Sequence, residues 1–255
     1  ATVTASLTTG DGTLSGTTSV TASSGVATFS DLSINEVGTD KVLTFASTVS
    51  GSALTSAASS AFTITHSTAT KLLITTQPAE TVAGATMAGV VVKVSDAYGN
   101  TITSGNSASA TVTVSMTTGD GTLSGTTSVT ASSGVATFSD LSINTSGTNK
   151  LLTFASTGLT SIASNAFTIT HSTATQLAIT NQPSTTVAGV SISSAITVEV
   201  RDSSGDVITS GDGATATVTV SMTTGDGTLS GTTSVSASSG VATFSALSID
   251  EVGTD

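Results

Sequence analysis

TTGDGTLSGTTSVTASSGVATFSDLSI, residues 8–34, decides how the rest of the chain is read. The same stretch returns unchanged at 117–143. It returns again at 223–249, with Ser236 and Ala246 in place of the Thr and Asp of the other copies. A stretch spelled three times with strand-like alternation marks a tandem array. Gly10, Gly119 and Gly225 lie 109 and 106 residues apart, and His66 and His171 lie 105 apart. A unit of about 105 residues has the size of an independent domain and is well above solenoid repeats of roughly 20–50. Each unit is therefore expected to own a core, with the units strung like beads.

Outward from the repeated stretch, the middle unit reads as short strands separated by turns. Residues 71–75, KLLIT, place Leu72 and Ile74 on one face, and Gln77-Pro78 breaks the run because proline has no N–H for a ladder. Residues 90–95, VVVKVS, turn Val90, Val92 and Val94 inward. Asp96-Ala97-Tyr98-Gly99-Asn100 is a turn by its Asp, Gly and Asn. Residues 111–116, TVTVSM, alternate between Val112, Val114 and Met116 inside and hydroxyl residues outside. Gly119-Asp120-Gly121 turns the chain again, and 122–130 is a polar strand or a pair of short ones. Gly134 opens a run with Ala136 and Phe138 on one face. KLLTFA at 150–155 and AFTIT at 166–170 contribute Leu152, Phe154, Phe167 and Ile169. About seven short strands, turns every 8–12 residues and no helical period predict an all-β fold, a two-sheet antiparallel sandwich of immunoglobulin-like type.

Composition agrees. Ser and Thr supply about two residues in five, yet the apolar fraction is 37% and there are only two prolines. That favours folded strands over a mucin-like stalk, since threonine is a stiff, β-branched strand residue. The net charge is −11 with five Lys and Arg. Nucleic acid and anionic membrane surfaces both require cations, so neither is an expected partner. No run of about 20 apolar residues is long enough to span a membrane. Cysteine is absent, so no disulfide framework exists.

The succession QPAETVAG, VVVKVSDAYGN, TVTVSMTTGDGTLSGT, GVATFSDLSI and NAFTIT resembles the bacterial immunoglobulin-like repeats of large surface proteins and adhesins. The resemblance covers the whole chain. The following copy departs from it at Asp206, where Asn100 stood, and at Glu199, where Lys93 stood. It implies tandem domains outside a cell, in stalks, adhesins or filaments, and no shared catalytic residues.

By repeat position, 1–67 is a partial unit lacking its first strands, 68–172 a complete unit, and 173–255 a partial unit lacking its last strands. The chain reads as a window on a longer array. An incomplete sandwich presents an open sheet edge that something must cover. Copies of the chain, end to end or side by side, are therefore the expected partners, by strand complementation in the sharpest form. The linkers, Thr-His-Ser-Thr-Ala-Thr at 65–70 and 170–175, contain no Gly, Pro or acid. They are expected to be semi-extended, and to lack the carboxylates of a calcium-stiffened junction.

Candidate chemistry is sparse. Asp96 and Asn100, Asp120, and Asp202 and Asp206 are weak calcium candidates, each read first as a turn residue. Asp11 and Asp226 repeat the Asp120 position. His66 and His171 recur once per junction without a converging ligand set, so they read as packing or linker residues. Lys41 and Lys150, preceded by Asn35 and Asn144, have the residue types of an isopeptide crosslink, but Asp250 stands in the third copy. No cofactor, catalytic residue or enzymatic activity is expected. The expected role is a structural segment of an extracellular filament, stalk or sheath. The alternative is an adhesin module for a glycan or for a host or neighbouring-cell protein.

Overall fold

The computed structural model describes residues 1–253. The chain is all-β, and among the described residues its regular structure apart from strands is two single 3₁₀ turns, Asn106–Ser109 and Asp212–Thr215. No helix of the described residues is long and apolar enough to cross a membrane.

The middle repeat forms an immunoglobulin-like sandwich. One sheet is antiparallel, with Val90–Ser95 between Lys71–Thr76 and Val135–Phe138. The other runs Thr81–Val82, Phe167–Thr170, Gly147–Ala155, Thr111–Thr118, Ser128–Thr130, with Ile162–Ala163 added to Gly147–Ala155. All its pairs are antiparallel except the first, where Thr81–Val82 runs parallel to Phe167–Thr170. The chain therefore leaves one sheet after Thr76 and joins the other at Thr81. Gln77-Pro78 sits at that crossing, where a residue without an N–H costs no ladder bond. Gln77 stays useful there, its side-chain oxygen accepting the Asn165 N–H at 2.9 Å.

The alternation seen in the sequence becomes the core. Val90, Val92 and Val94 on one sheet face Val112, Leu152, Phe154 and Ile169 on the other. Phe138 and Phe154 meet across the sandwich with ring centroids 5.2 Å apart, a tilted aromatic pair. Fully burying each such side chain contributes roughly 1.5–3 kcal/mol, which is how a core without Trp or Cys holds two sheets together.

The flanking repeats carry different halves of this plan. The third has the sheet Ala174–Asn181, Ile196–Asp202, Val241–Phe244 and its own smaller core around Val198, Val200, Ala242 and Phe244. The first has the sheet Ser19–Thr21, Thr2–Thr9, Gly38–Val49, with short strands Ser52–Ala53, Ala57–Ala58 and Phe62–Ile64 paired to the last, and a separate short pair, Leu14–Ser15 with Ser33–Ile34. Among the described residues it gathers no core cluster of its own, so the expectation that each unit owns a core fails there. The physical reason is that a sheet buries its apolar face only against a second layer. Val26, whose counterparts Val135 and Val241 lie in strands, is 64% exposed and outside any strand.

The structure corrects two more expectations. The second linker is shorter than 170–175, because Thr170 ends one strand and Ala174 already begins the next, paired with Asp202. The expected strand number is also too low: Thr81–Val82, Ser142–Ile143 and Ile162–Ala163 are additional short strands in the middle repeat. They are two residues long and give no periodic signal.

Candidate functional site: the repeat junctions

The polar groups that converge in this molecule do so where one repeat meets the next. Asp96 follows the buried Val90–Ser95 strand and is itself fully buried. Its Oδ1 accepts the N–H groups of Tyr98 at 3.0 Å and Asn100 at 2.9 Å, a side chain folding its own turn. Its Oδ2 accepts the N–H of Ser67 in the linker at 3.0 Å and the Asn100 amide at 3.0 Å. Burial pushes the Asp96 carboxyl up and is the largest single influence. The bonds from Asn100, Ser67 and Tyr98 together outweigh it and hold the group below the ordinary 3.8.

Asn100 then reaches back to the first repeat. Its amide donates to the Asn35 carbonyl at 2.9 Å, and its oxygen accepts the Val37 N–H at 3.2 Å. His66 closes the junction from the linker side. Nδ1 lies 2.9 Å from the Ser67 carbonyl, which requires the proton on Nδ1 and leaves Nε2 to accept from the Ser104 hydroxyl at 2.9 Å. A shallow cleft lined by His66, Thr68, Ile102 and Ser104 opens beside it.

The second junction repeats the scheme. Asp202, also fully buried, accepts the N–H groups of Ser204 at 2.9 Å, Asp206 at 3.0 Å and linker Ser172 at 3.2 Å. Burial again pushes this carboxyl up, and the Asp206, Ser172 and Ser204 bonds bring it below the ordinary value. Asp206 Oδ2 accepts the Ser146 N–H at 2.7 Å, as Asn100 does from Val37. His171 Nε2 lies 3.0 Å from the Thr209 hydroxyl and accepts the Thr209 N–H at 3.3 Å. Gln176 adds a bond to the Asp202 carbonyl at 2.5 Å.

Four of the five weak calcium candidates are thus placed at the junctions, in two pairs: Asp96 with Asn100, and Asp202 with Asp206. The fifth, Asp120, is exposed on the Gly-Asp-Gly turn, where its carbonyl accepts the Lys150 ammonium at 2.6 Å. Among the described residues no three His, Cys, Asp or Glu side chains converge. The linkers' own lack of acids hid the main feature. The carboxylate that binds each linker comes from the turn of the following repeat, about thirty residues on. The available signal was an acid directly after a buried valine strand, recurring in step with Thr-His-Ser-Thr.

Lys41 and Lys150 are each 1% exposed, with the ammonium donating to the carbonyls of Asp11 and Asp120. Their Asn neighbours have another task. Asn35 and Asn144 accept the N–H of Thr13 and Thr122, both at 2.7 Å, and Asp250 accepts that of Thr228 at 2.6 Å. The position needs an acceptor oxygen to hold the Gly-Asp-Gly turn, and Asp250 supplies the same bond as the two Asn.

No family model and no curated sequence matches the chain. Solved structures are similar to it at low identity, among them the following three. InvD of Yersinia pseudotuberculosis is 18% identical over 100% of this chain and 75% of its own, with a TM-score of 0.36. Invasin, a bacterial integrin-binding protein, is 18% identical over 99% of this chain and 48% of its own, with a TM-score of 0.32. A beta-glycosidase from Bacteroides vulgatus is 12% identical over 66% of this chain, with a TM-score of 0.34. The chain spans 21% of that glycosidase's length.

Proposed function

We propose that this chain is a non-catalytic structural segment of an extracellular filament, stalk or sheath at a microbial cell surface, built of units at 1–67, 68–172 and 173–255. The observation that carries the reading is repetition: the sequence words, their turns and the joining contacts recur in register. Copies that do one mechanical job need no distinguishing surface. The uncharged Ser and Thr faces suit close lateral contact, since short side chains lose little entropy on ordering.

Self-association is part of the proposal. In the third unit a groove between Thr186, Val187, Met222 and Ile249 is open. Its counterpart in the middle unit holds Phe167–Thr170 beside Thr81–Val82. A Phe-Thr-Ile strand from continuing chain, or Phe62–Ile64 of a second copy, fits the same groove. Analytical ultracentrifugation of residues 1–255 reads the second source directly. Concentration-dependent dimers support exchange between copies; a monomer at every concentration rejects it.

Electron microscopy of native material, with intact polypeptide mass, tests the main reading. Regular filaments or sheets made of this chain support it. A dispersed protein that never appears at the cell surface overturns it.

A second reading, an adhesin module, is favoured by Tyr98. This single tyrosine is 70% exposed at the turn where the third repeat has Ser204. An aromatic face can stack on a sugar. Glycan-array binding lost on Tyr98→Ser supports this reading, and an array without signal removes it.

A further inference from the structure

Both junctions use the same three contacts in the same register. The linker N–H, Ser67 or Ser172, enters the buried carboxylate of the next repeat, Asp96 or Asp202. The linker imidazole, His66 or His171, bonds the next repeat's Ser104 or Thr209. The turn residue of that next repeat, Asn100 or Asp206, takes the N–H of Val37 or Ser146 in the preceding repeat.

We infer that each junction is a three-point lock holding neighbouring repeats in one orientation, and that the residue at 100 or 206 sets how tight the lock is. Two contacts fix the linker to the next repeat and the third fixes the preceding repeat's own backbone to it, so bending and twisting must each break a bond. A linker held at one end only would leave both free. The buried carboxylate is the anchor: its own turn supplies part of its hydrogen bonds, and the linker N–H adds one more that is lost if the linker lifts away. Deepening the structural reading, this makes the array a stiff rod rather than beads on a tether.

At the residue that reaches back to the preceding repeat, the two locks differ by one group, the amide nitrogen of Asn100 against a carboxylate oxygen of Asp206. The Asn100 amide donates both to Asp96 and to the Asn35 carbonyl, while its oxygen accepts from Val37. The Asp206 carboxylate has no N–H to donate, so it keeps the Ser146 bond alone of these three. The first junction is therefore the tighter of the two.

The chain has no cysteine, so spin labels can be placed freely. Thr21, Thr130 and Ser236 are equivalent exposed strand positions, one per repeat. Electron–electron double resonance on residues 1–255, labelled at 21 and 130 or at 130 and 236, reads each junction separately. We expect a single narrow distance peak for 21–130 and a broader one for 130–236. Asn100→Ala should at least double the width of the first and leave the second unchanged. Asp206→Asn should narrow the second toward the first, a gain that cannot be mistaken for misfolding. Equally broad peaks for both pairs, unmoved by either substitution, overturn the lock. Because the readout is within one chain, narrow peaks in a protein that forms no filament would reject the proposed function and leave the lock standing.

Discussion

Gly125 shows how much one missing methyl decides. At φ +100 a β-carbon there would sit 2.3 Å from the Asp140 carbonyl oxygen, and Gly16 and Gly231 make the same approach to Asp31 and Ala246. Both the left-handed backbone and the close carbonyl exclude a side chain, so Gly125→Ala should destabilise the middle repeat by well over about 1 kcal/mol. Tyr98 fluorescence during urea unfolding measures this for the middle repeat alone, since the chain has no other Tyr and no Trp. By the same readout Phe138→Ala should cost about 3–5 kcal/mol, because Phe138 is buried against Phe154. Its equivalent Phe29, only half-buried, should cost far less when truncated, by circular-dichroism melting.

The same residue scale fixes the acid response. Asp140 is held below the ordinary 3.8 by the hydroxyl and then the N–H of Thr126, Asp31 by the N–H and then the hydroxyl of Thr17. Asp96 and Asp202 are lowered as well. A carboxyl lowered in the folded state binds fewer protons folded than unfolded. Its stabilisation is complete above 3.8 and is lost as pH falls through the folded value. Melting temperature should therefore stay flat with respect to these four groups from neutral pH down to about 4 and drop below it. Asp96→Asn should lower stability at neutral pH and make the drop below about pH 4 shallower.

At the scale of elements, identical words adopt different structures. TVTVSMTT is an eight-residue strand at Thr111–Thr118 and a three-residue strand, Thr217–Thr219, at its second occurrence. The middle copy has Gly147–Ala155 along its other edge, and among the described residues the later copy has no such neighbour. VATF is likewise a strand at Val135–Phe138 and Val241–Phe244 but not at 26–29. A strand is a paired object, and propensity cannot supply its partner. Hydrogen exchange should show it: the amides of 221–223 should exchange at least tenfold faster than those of 115–117, which carry the same residues.

Across the whole molecule, burial is unevenly shared. Leu72 in the first strand of the middle repeat is 2% exposed, and its counterpart Leu177 is 57% exposed. The middle repeat closes over Leu72 with the 156–163 segment, where Thr160 bonds both Leu72 and Thr70. Stability should follow burial. Limited proteolysis with a broad-specificity protease should leave a resistant fragment centred on 68–172, identified by its mass, with both flanks trimmed first.

The residues by themselves determined the class of the fold. Alternation of Val, Leu and Phe with Thr and Ser places one face of each long strand inward whatever the partner, and Gly, Asp and Asn fix the turns between. That is why Leu72, Val92, Val114, Phe138 and Ile169 are legible as core from the alternation alone. The repeat spacing also set the register of the units, and it placed Asp96, Asn100, Asp202 and Asp206 in turns. Only the tertiary structure decided that those turns grip the linkers, that Lys150 lies buried under a carbonyl, and that equal sequences become unequal strands. Each of these depends on a group supplied from some thirty or more residues away. A hydrogen bond across such a distance leaves no local pattern, because neither partner's own neighbourhood changes to accommodate it.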